Sequence, residues 1–114
     1  MPNDEHVAML GRGAAVWNEW RAKHDETPDL SRAGLRGLDL SGFDLSRTDL
    51  RGADLRGTNL SAANLSGARL DGADLSDANL EGVEGLTQGQ LNRVHCNSGT
   101  NLPAGLTGVE DGKR

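Results

Sequence analysis

The stretch Ala73 to Gly82, "ADLSDANLEG", carries leucine at Leu75 and Leu80, each preceded two places earlier by alanine. The same spacing runs back through Leu70, Leu65, Leu60, Leu55, Leu50, Leu45, Leu40, Leu35 and Leu30, so eleven leucines recur at every fifth position. An α-helix turns about 100° per residue, which separates side chains five apart by about 140° and forms no stripe. A flat strand alternates faces, so an odd spacing sends successive leucines to opposite sides. A chain that turns a corner after every five residues keeps them all on one side. Each unit is then one short side of a coil, with its leucine pointing to the axis.

The positions around the leucine agree with this. The residue two before it is small, at Ala33, Ala53, Ala63, Ala68, Ala73 and Ala78, with Thr48 and Thr58 as near equivalents, and it is expected to point inward too. The residue two after it is glycine at Gly37, Gly42, Gly52, Gly57, Gly67, Gly72 and Gly82. In the turn Leu65-Ser66-Gly67-Ala68 that glycine is the third residue, where a type II turn requires positive φ. Arg32, Arg47, Ala62 and Asp77 fill the same slot, and those corners are expected to be type I or distorted. Asp or Asn mostly precedes the leucine, and such short side chains bond nearby backbone at turns.

With this A-(D/N)-L-x-x pattern, clearest in "TDLRGADLRGTNLSAANL", the chain resembles the pentapeptide-repeat family from Pro28 to Gly82, as a short bacterial-type member with N- and C-terminal caps. The resemblance implies an all-β solenoid. Its expected form is a right-handed quadrilateral parallel β-helix of just under three coils, four units per coil. Residues twenty apart then stack about 4.8 Å from one another. Leu30/Leu50/Leu70, Leu35/Leu55/Leu75, Leu40/Leu60/Leu80 and Leu45/Leu65 become core columns. The chain divides into an N-terminal helical cap (1–27), the β-helix (28–82), a C-terminal helix/loop cap (83–108) and a disordered tail (109–114).

Leu38 and Phe43 stand where other units hold Ala or Thr, so the first coil is expected to be wider or more open. An open end exposes core and unpaired strand edges, and needs a lid. Residues 5–23, "EHVAMLGRGAAVWNEWRAK", read as an amphipathic helix with Val7, Leu10, Ala14 and Trp17 on one face, and Gly11 and Gly13 are where it would break. Its apolar face either covers the first coil near Leu38 and Phe43, the favoured reading, or offers Trp17 and Trp20 as a docking surface. One tryptophan could do each. After Gly82 the repeat fails, with Gly85 where a leucine was due. In "GLTQGQLNRV", Thr87 and Gln90 have capping-box spacing. A loop, "HCNSGTN", follows, and Leu86, Leu91, Val94, Leu102 and Leu106 are expected to plug this end.

Only three residues are aromatic, so leucine and alanine must build the core. A net charge of −5 without a Lys/Arg block argues against direct nucleic-acid binding. The lone Cys96 excludes an internal disulfide and fits a reducing, cytoplasmic setting. No apolar stretch suits a membrane span, and the acidic N-terminus does not read as a signal peptide. His6, His24 and His95 are scattered, the repeat serines have no histidine beside them, and Asp54 over Asp74 reads as a solvated pair rather than a cation site. No catalytic, cofactor or metal site is expected.

The expected function is therefore a non-enzymatic protein–protein interaction or scaffold module, since solenoid outer faces vary without disturbing the core. Arg36 over Arg56 forms a small basic spot and, with Trp20, supplies the candidate partner contacts. A protein partner is expected, for a monomer or an end-to-end homodimer. The alternative comes from the resemblance: some pentapeptide-repeat proteins bind DNA gyrase and protect it from quinolones, as acidic mimics of DNA bound by a type II topoisomerase. Residues 28–82 hold nine acidic residues and six arginines, a net of −3. A stack of about 13 Å would match about eight duplex phosphates.

Overall fold

Each five-residue unit closes its own turn. The amide two places before one leucine's successor donates to that leucine's carbonyl, from Ala33→Leu30 through Val83→Leu80, at 2.9–3.3 Å. In the computed structural model, which describes residues 2–108, the glycine corners lie at φ of 66–75°. The four other corners do the same: Arg32, Arg47, Ala62 and Asp77 have φ of 59–61°. The type I or distorted corners expected from sequence do not occur. The corner must return every leucine to the axis, and that demand overrides a left-handed cost of about 1–2 kcal/mol per non-glycine residue. Packing offsets part of it. The Arg32 and Arg47 stems lie over Gly52 and Gly67, their Cγ atoms 3.2 and 3.4 Å from where a Cβ would stand.

Parallel bridges join residues twenty apart into four columns: Asp29–Asp49–Arg69, Gly34–Asp54–Asp74, Asp39–Asn59–Asn79 and Asp44–Asn64–Glu84. Bonding is reciprocal. Leu35 N donates to Asp54 O at 2.8 Å, and Asp54 N donates back to Ala33 O at 2.9 Å. With a corner every five residues, each side has room for a single bridge residue. The β-solenoid is accordingly a set of one-residue bridges, and among the described residues no longer strand forms. All eleven leucines are no more than 1% exposed. Each such burial contributes roughly 1.5–3 kcal/mol. Thr58 is buried with its hydroxyl donating to Leu35 O at 2.9 Å, which is how a polar side chain substitutes for alanine there.

The helix expected over 5–23 is two helices. α1 spans Asp4–Leu10 and starts at Asn3, whose side chain accepts from the Glu5 and His6 amides. The chain breaks through Gly11–Gly13, with Gly13 at φ 94°, and α2 spans Ala14–Lys23. Of the two large residues in the first coil, Phe43 turns inward beneath Trp17, ring centroids 6.1 Å apart, whereas Leu38 stays 39% exposed. α2 thus packs over Phe43 and leaves Leu38 uncovered.

At the other end Gly85 takes the leucine's place because a Cβ there would lie 2.7 Å from Ser66 Cα. α3, Gln88–Leu91, begins with the Thr87–Gln90 capping box. Leu91 and Val94 are buried, with Leu86, Leu102 and Leu106 packed against them in part. The segment read as a loop rejoins the ladder: His95 bridges Asp74 and Asn101 bridges Asn79. The tail at 109–114, expected to be disordered, lies outside the described residues.

Leu55→Ala should destabilise the fold by about 2–5 kcal/mol, as a cavity in a close-packed core does. Leu38→Ala should change stability by no more than about 0.5 kcal/mol. Urea unfolding followed by circular dichroism checks both.

Candidate functional site

Every coil directs amides and carbonyls toward both neighbours, and the first coil has no neighbour before it. On the Asp29 column, α1 substitutes for one. Asn3 N donates to Asp29 O at 2.9 Å, and Asp29 N donates to His6 Nδ1 at 3.0 Å. On the Asp44 column α2 does so through side chains. Trp17 Nε1 and Arg21 Nη1 donate to Asp44 O at 2.7 and 2.9 Å, and Asn18 Oδ1 accepts from Asp44 N at 2.7 Å. Arg21 Nη2 donates to Ser46 O at 2.8 Å and Asn18 Nδ2 to Gly42 O at 3.0 Å. Trp17 and Arg21 share a helix face because they are four apart. Burial pushes the Arg21 guanidinium below its ordinary pKa, Asp44 opposing and Arg47 adding to the shift, and among the described residues its Nε has no hydrogen-bond partner.

The Gly34 and Asp39 columns differ. Among the described residues, nothing bonds the outward N–H and C=O of Gly34 and Asp39. Their counterparts one coil down, Asp54 and Asn59, are fully paired through Ala33, Leu35, Leu38 and Leu40. The exposed Leu38 lies between these two open bridge positions, and exposed Arg36 sits beside it.

The last coil is closed more completely. Leu75 N donates to His95 O and Leu80 N to Asn101 O, both at 2.7 Å. The return bonds run from His95 N to Ala73 O and from Asn101 N to Ala78 O, both at 2.9 Å. The Gln90 amide imitates a strand, donating to Leu65 O at 3.0 Å and Ala68 O at 2.9 Å. The two ends of the coil are therefore unlike, and the half-open first coil is the candidate site.

Of the residues proposed from sequence, Arg36 and Arg56 meet on one carboxylate. Arg36 Nε lies 2.7 Å from Asp54 Oδ2, and Arg56 grips both Asp54 oxygens at 2.9 Å. What read as a basic spot is a charge-paired cluster, with Arg56 also 3.7 Å from Asp74. Such exposed pairs contribute about 0–1 kcal/mol. Trp20 belongs to a different group, its ring 5.1 Å from His6, 5.4 Å from His24 and 5.5 Å from the buried Trp17. From sequence His6 is weighed only as a metal ligand, and Asn18 and Arg21 are not singled out, because polar residues on an amphipathic helix read as its solvent side. The signal for them was the need of an unpaired edge for polar partners.

Grooves of about 560 and 500 Å³ flank Asp49, lined in part by Arg32, Arg51 and Asp71 on one side and Arg47 and Arg69 on the other. No group of three or more His, Cys, Asp or Glu placed to hold a metal occurs among the described residues. No helix there is long and apolar enough to cross a membrane.

The carboxylates before the leucines brace the corners. Asp29, Asp39 and Asp44 each accept from the hydroxyl and amide of Ser31, Ser41 and Ser46, with hydroxyl distances of 2.6–2.7 Å. The serine bonds hold Asp29 and Asp39 below the usual carboxylate range. At Asp44 burial works upward and is outweighed by Ser46, Arg21 and Arg47. A lowered folded pKa contributes stability above the unfolded value of about 3.9 and loses it as pH falls. The triple variant Ser31→Ala, Ser41→Ala, Ser46→Ala should lose less unfolding free energy than the parent between pH 4.5 and 3, in urea titrations at each pH.

Comparison with known proteins agrees with this geometry. A sequence model described as pentapeptide repeats matches residues 29–67 and 44–82, in eight copies. The structure is similar to Rfr23, a pentapeptide repeat protein from the cyanobacterium Cyanothece 51142, at 37% identity and a TM-score of 0.61, over 68% of this chain and 52% of that one. The chain thus spans about half the length of that relative. It is also similar to alr5209, a pentapeptide repeat protein from Nostoc Pcc 7120, at 33% identity, 79% and 84% coverage and a TM-score of 0.35. Among curated proteins no match is found. The repeat copies, the likeness to Rfr23 and the ladder of residues twenty apart lead to one conclusion: the chain belongs to the pentapeptide-repeat family.

Proposed function

We propose that this protein is a non-enzymatic, cytoplasmic interaction module that binds a protein partner at the half-open first coil. In this reading the coil is a right-handed, four-sided β-helix, the two N-terminal helices and the C-terminal segment are its caps, and the N-terminal cap stops short of two sides. The observation that carries the proposal is the pair of open bridge positions at Gly34 and Asp39 beside exposed Leu38. Each open position offers one bridge's N–H and C=O, so a partner segment pairs there only by turning the corner with the coil, its main chain supplying hydrogen bonds and an apolar side chain meeting Leu38. The partner is therefore a protein presenting a main-chain segment bent at this corner. Arg36 and Arg56 lie along the neighbouring wall as rim contacts, and Trp20 flanks the helical side.

The topoisomerase-binding DNA mimic has less support. Arginine interrupts the acidic walls through the Arg51–Asp49, Arg36–Asp54, Arg56–Asp54 and Arg93–Asp71 pairs, and duplex DNA presents unbroken negative charge. Leu38→Lys should fold with an unchanged thermal midpoint and retain a captured partner at least about tenfold less well, since a hot-spot loss of about 1.4 kcal/mol is tenfold in affinity. Parallel affinity capture with the parent and Leu38→Lys, followed by titration of the recovered partner, tests this. A type II topoisomerase bound equally by both proteins would contradict the proposal and favour the mimic.

A further inference from the structure

His6 lies on α1, buried to 5% exposure, with both ring nitrogens engaged. Nε2 is 3.0 Å from Glu26 Oε2, and Nδ1 is 3.0 Å from the Asp29 main-chain nitrogen. A carboxylate accepts and a backbone N–H donates, so Nε2 must carry the proton and Nδ1 the lone pair. That assignment is the neutral ring. Adding a proton at Nδ1 would set one N–H against another at the same 3.0 Å. Among the described residues the Asp29 amide bonds no acceptor other than His6 Nδ1, while Asp29 Oδ1 accepts from Ser31.

We propose that protonation of His6 releases α1 from the Asp29 edge of the first coil, making this contact an acid-operated latch. Asn3 belongs to the same clasp, since its amide donates to Asp29 O at 2.9 Å and its side chain caps α1. Release therefore unmakes both main-chain bonds of Asp29 together. A helix of seven residues has little stability of its own in water, so α1 should fray once undocked.

The groups facing the ring come from three segments. α1 contributes Glu5 beside it, and the connection after α2 contributes Glu26 and Asp29. α2 contributes Trp20, whose ring also stacks on His24. The Glu26 carboxylate attracts an imidazolium and so opposes release, but its side chain is 57% exposed and solvent screens it. It also approaches Nε2, so it gives the Asp29 amide no acceptor. The latch is independent of the binding proposal and needs no partner.

The test is amide hydrogen exchange at Asp29 in the full chain, corrected for intrinsic rate, with the imidazole ¹⁵N spectrum of His6. The opening equilibrium at Asp29 should rise severalfold between pH 7.5 and 5, the range over which histidine side chains take up a proton. His6→Asn keeps an acceptor near the Nδ1 position without titrating and should abolish the rise, whereas His24→Gln should retain it. Equal opening at both pH values in the parent, or a rise that persists in His6→Asn, would overturn the proposal. If His6→Asn leaves Asp29 unprotected throughout, the parent's spectrum decides. An unprotonated Nδ1 whenever Asp29 is protected supports the latch. A cationic ring with Asp29 still protected refutes it.

Discussion

Main-chain pairing between residues twenty apart is the constraint on which the rest of this structure depends. Parallel coils must hold every bridge residue over its counterpart, so each side of the coil has a fixed length and each corner a fixed hand. The leucines then fall on the axis and the small residues pack between them. The same demand explains the departures from residue preference. Arg32, Arg47, Ala62 and Asp77 adopt the left-handed corner because a locally preferred turn would carry the next leucine off the axis. The two arginines then use glycines in the following coil as a bed for their stems.

A ladder this short is mostly ends. In a solenoid each repeat contacts only its neighbours, so a terminal coil lacks half its partners. The chain answers in two ways. At the C-terminal end it continues the ladder with main chain at His95 and Asn101 and with the Gln90 amide. At the N-terminal end it uses side chains from helices, Trp17, Asn18, Arg21 and His6, as substitutes for a missing coil. Side chains reach only where a helix lies, which leaves Gly34 and Asp39 open.

The repeat was legible because leucine spacing records an axial contact that every coil repeats. The columns followed from it, and the α3 capping box was read from Thr87 and Gln90. Three features were not legible, each for a physical reason. Corner conformation at Arg32 and Arg47 is set by coils twenty residues away. The bridges at His95 and Asn101 lie 21 and 22 residues from Asp74 and Asn79, outside the period, so no periodicity marks them. The edge-binding roles of His6, Asn18 and Arg21 are invisible to a reading of apolar faces, since an amphipathic pattern does not say which polar residues are buried. At the candidate site the stacking of Arg36 over Arg56 was legible, but the Asp54 carboxylate that joins them belongs to the position before the leucine, read as a turn residue. Of the two tryptophans, Trp17 is buried in the coil's closure and Trp20 remains partly exposed.

Main-chain pairing closes the coil more completely at its C-terminal end, through His95 and Asn101, than at its N-terminal end, where Gly34 and Asp39 are open. Amide exchange across the whole ladder at neutral pH tests this most directly. The amides of Leu50, Leu55 and Leu60 should exchange slowest, with His95 and Asn101 protected alongside them and Gly34 and Asp39 exchanging like an unstructured chain. Protection of Gly34 and Asp39 comparable to that of Asp54 and Asn59 in the isolated protein would contradict it, since the edge would then already have a partner.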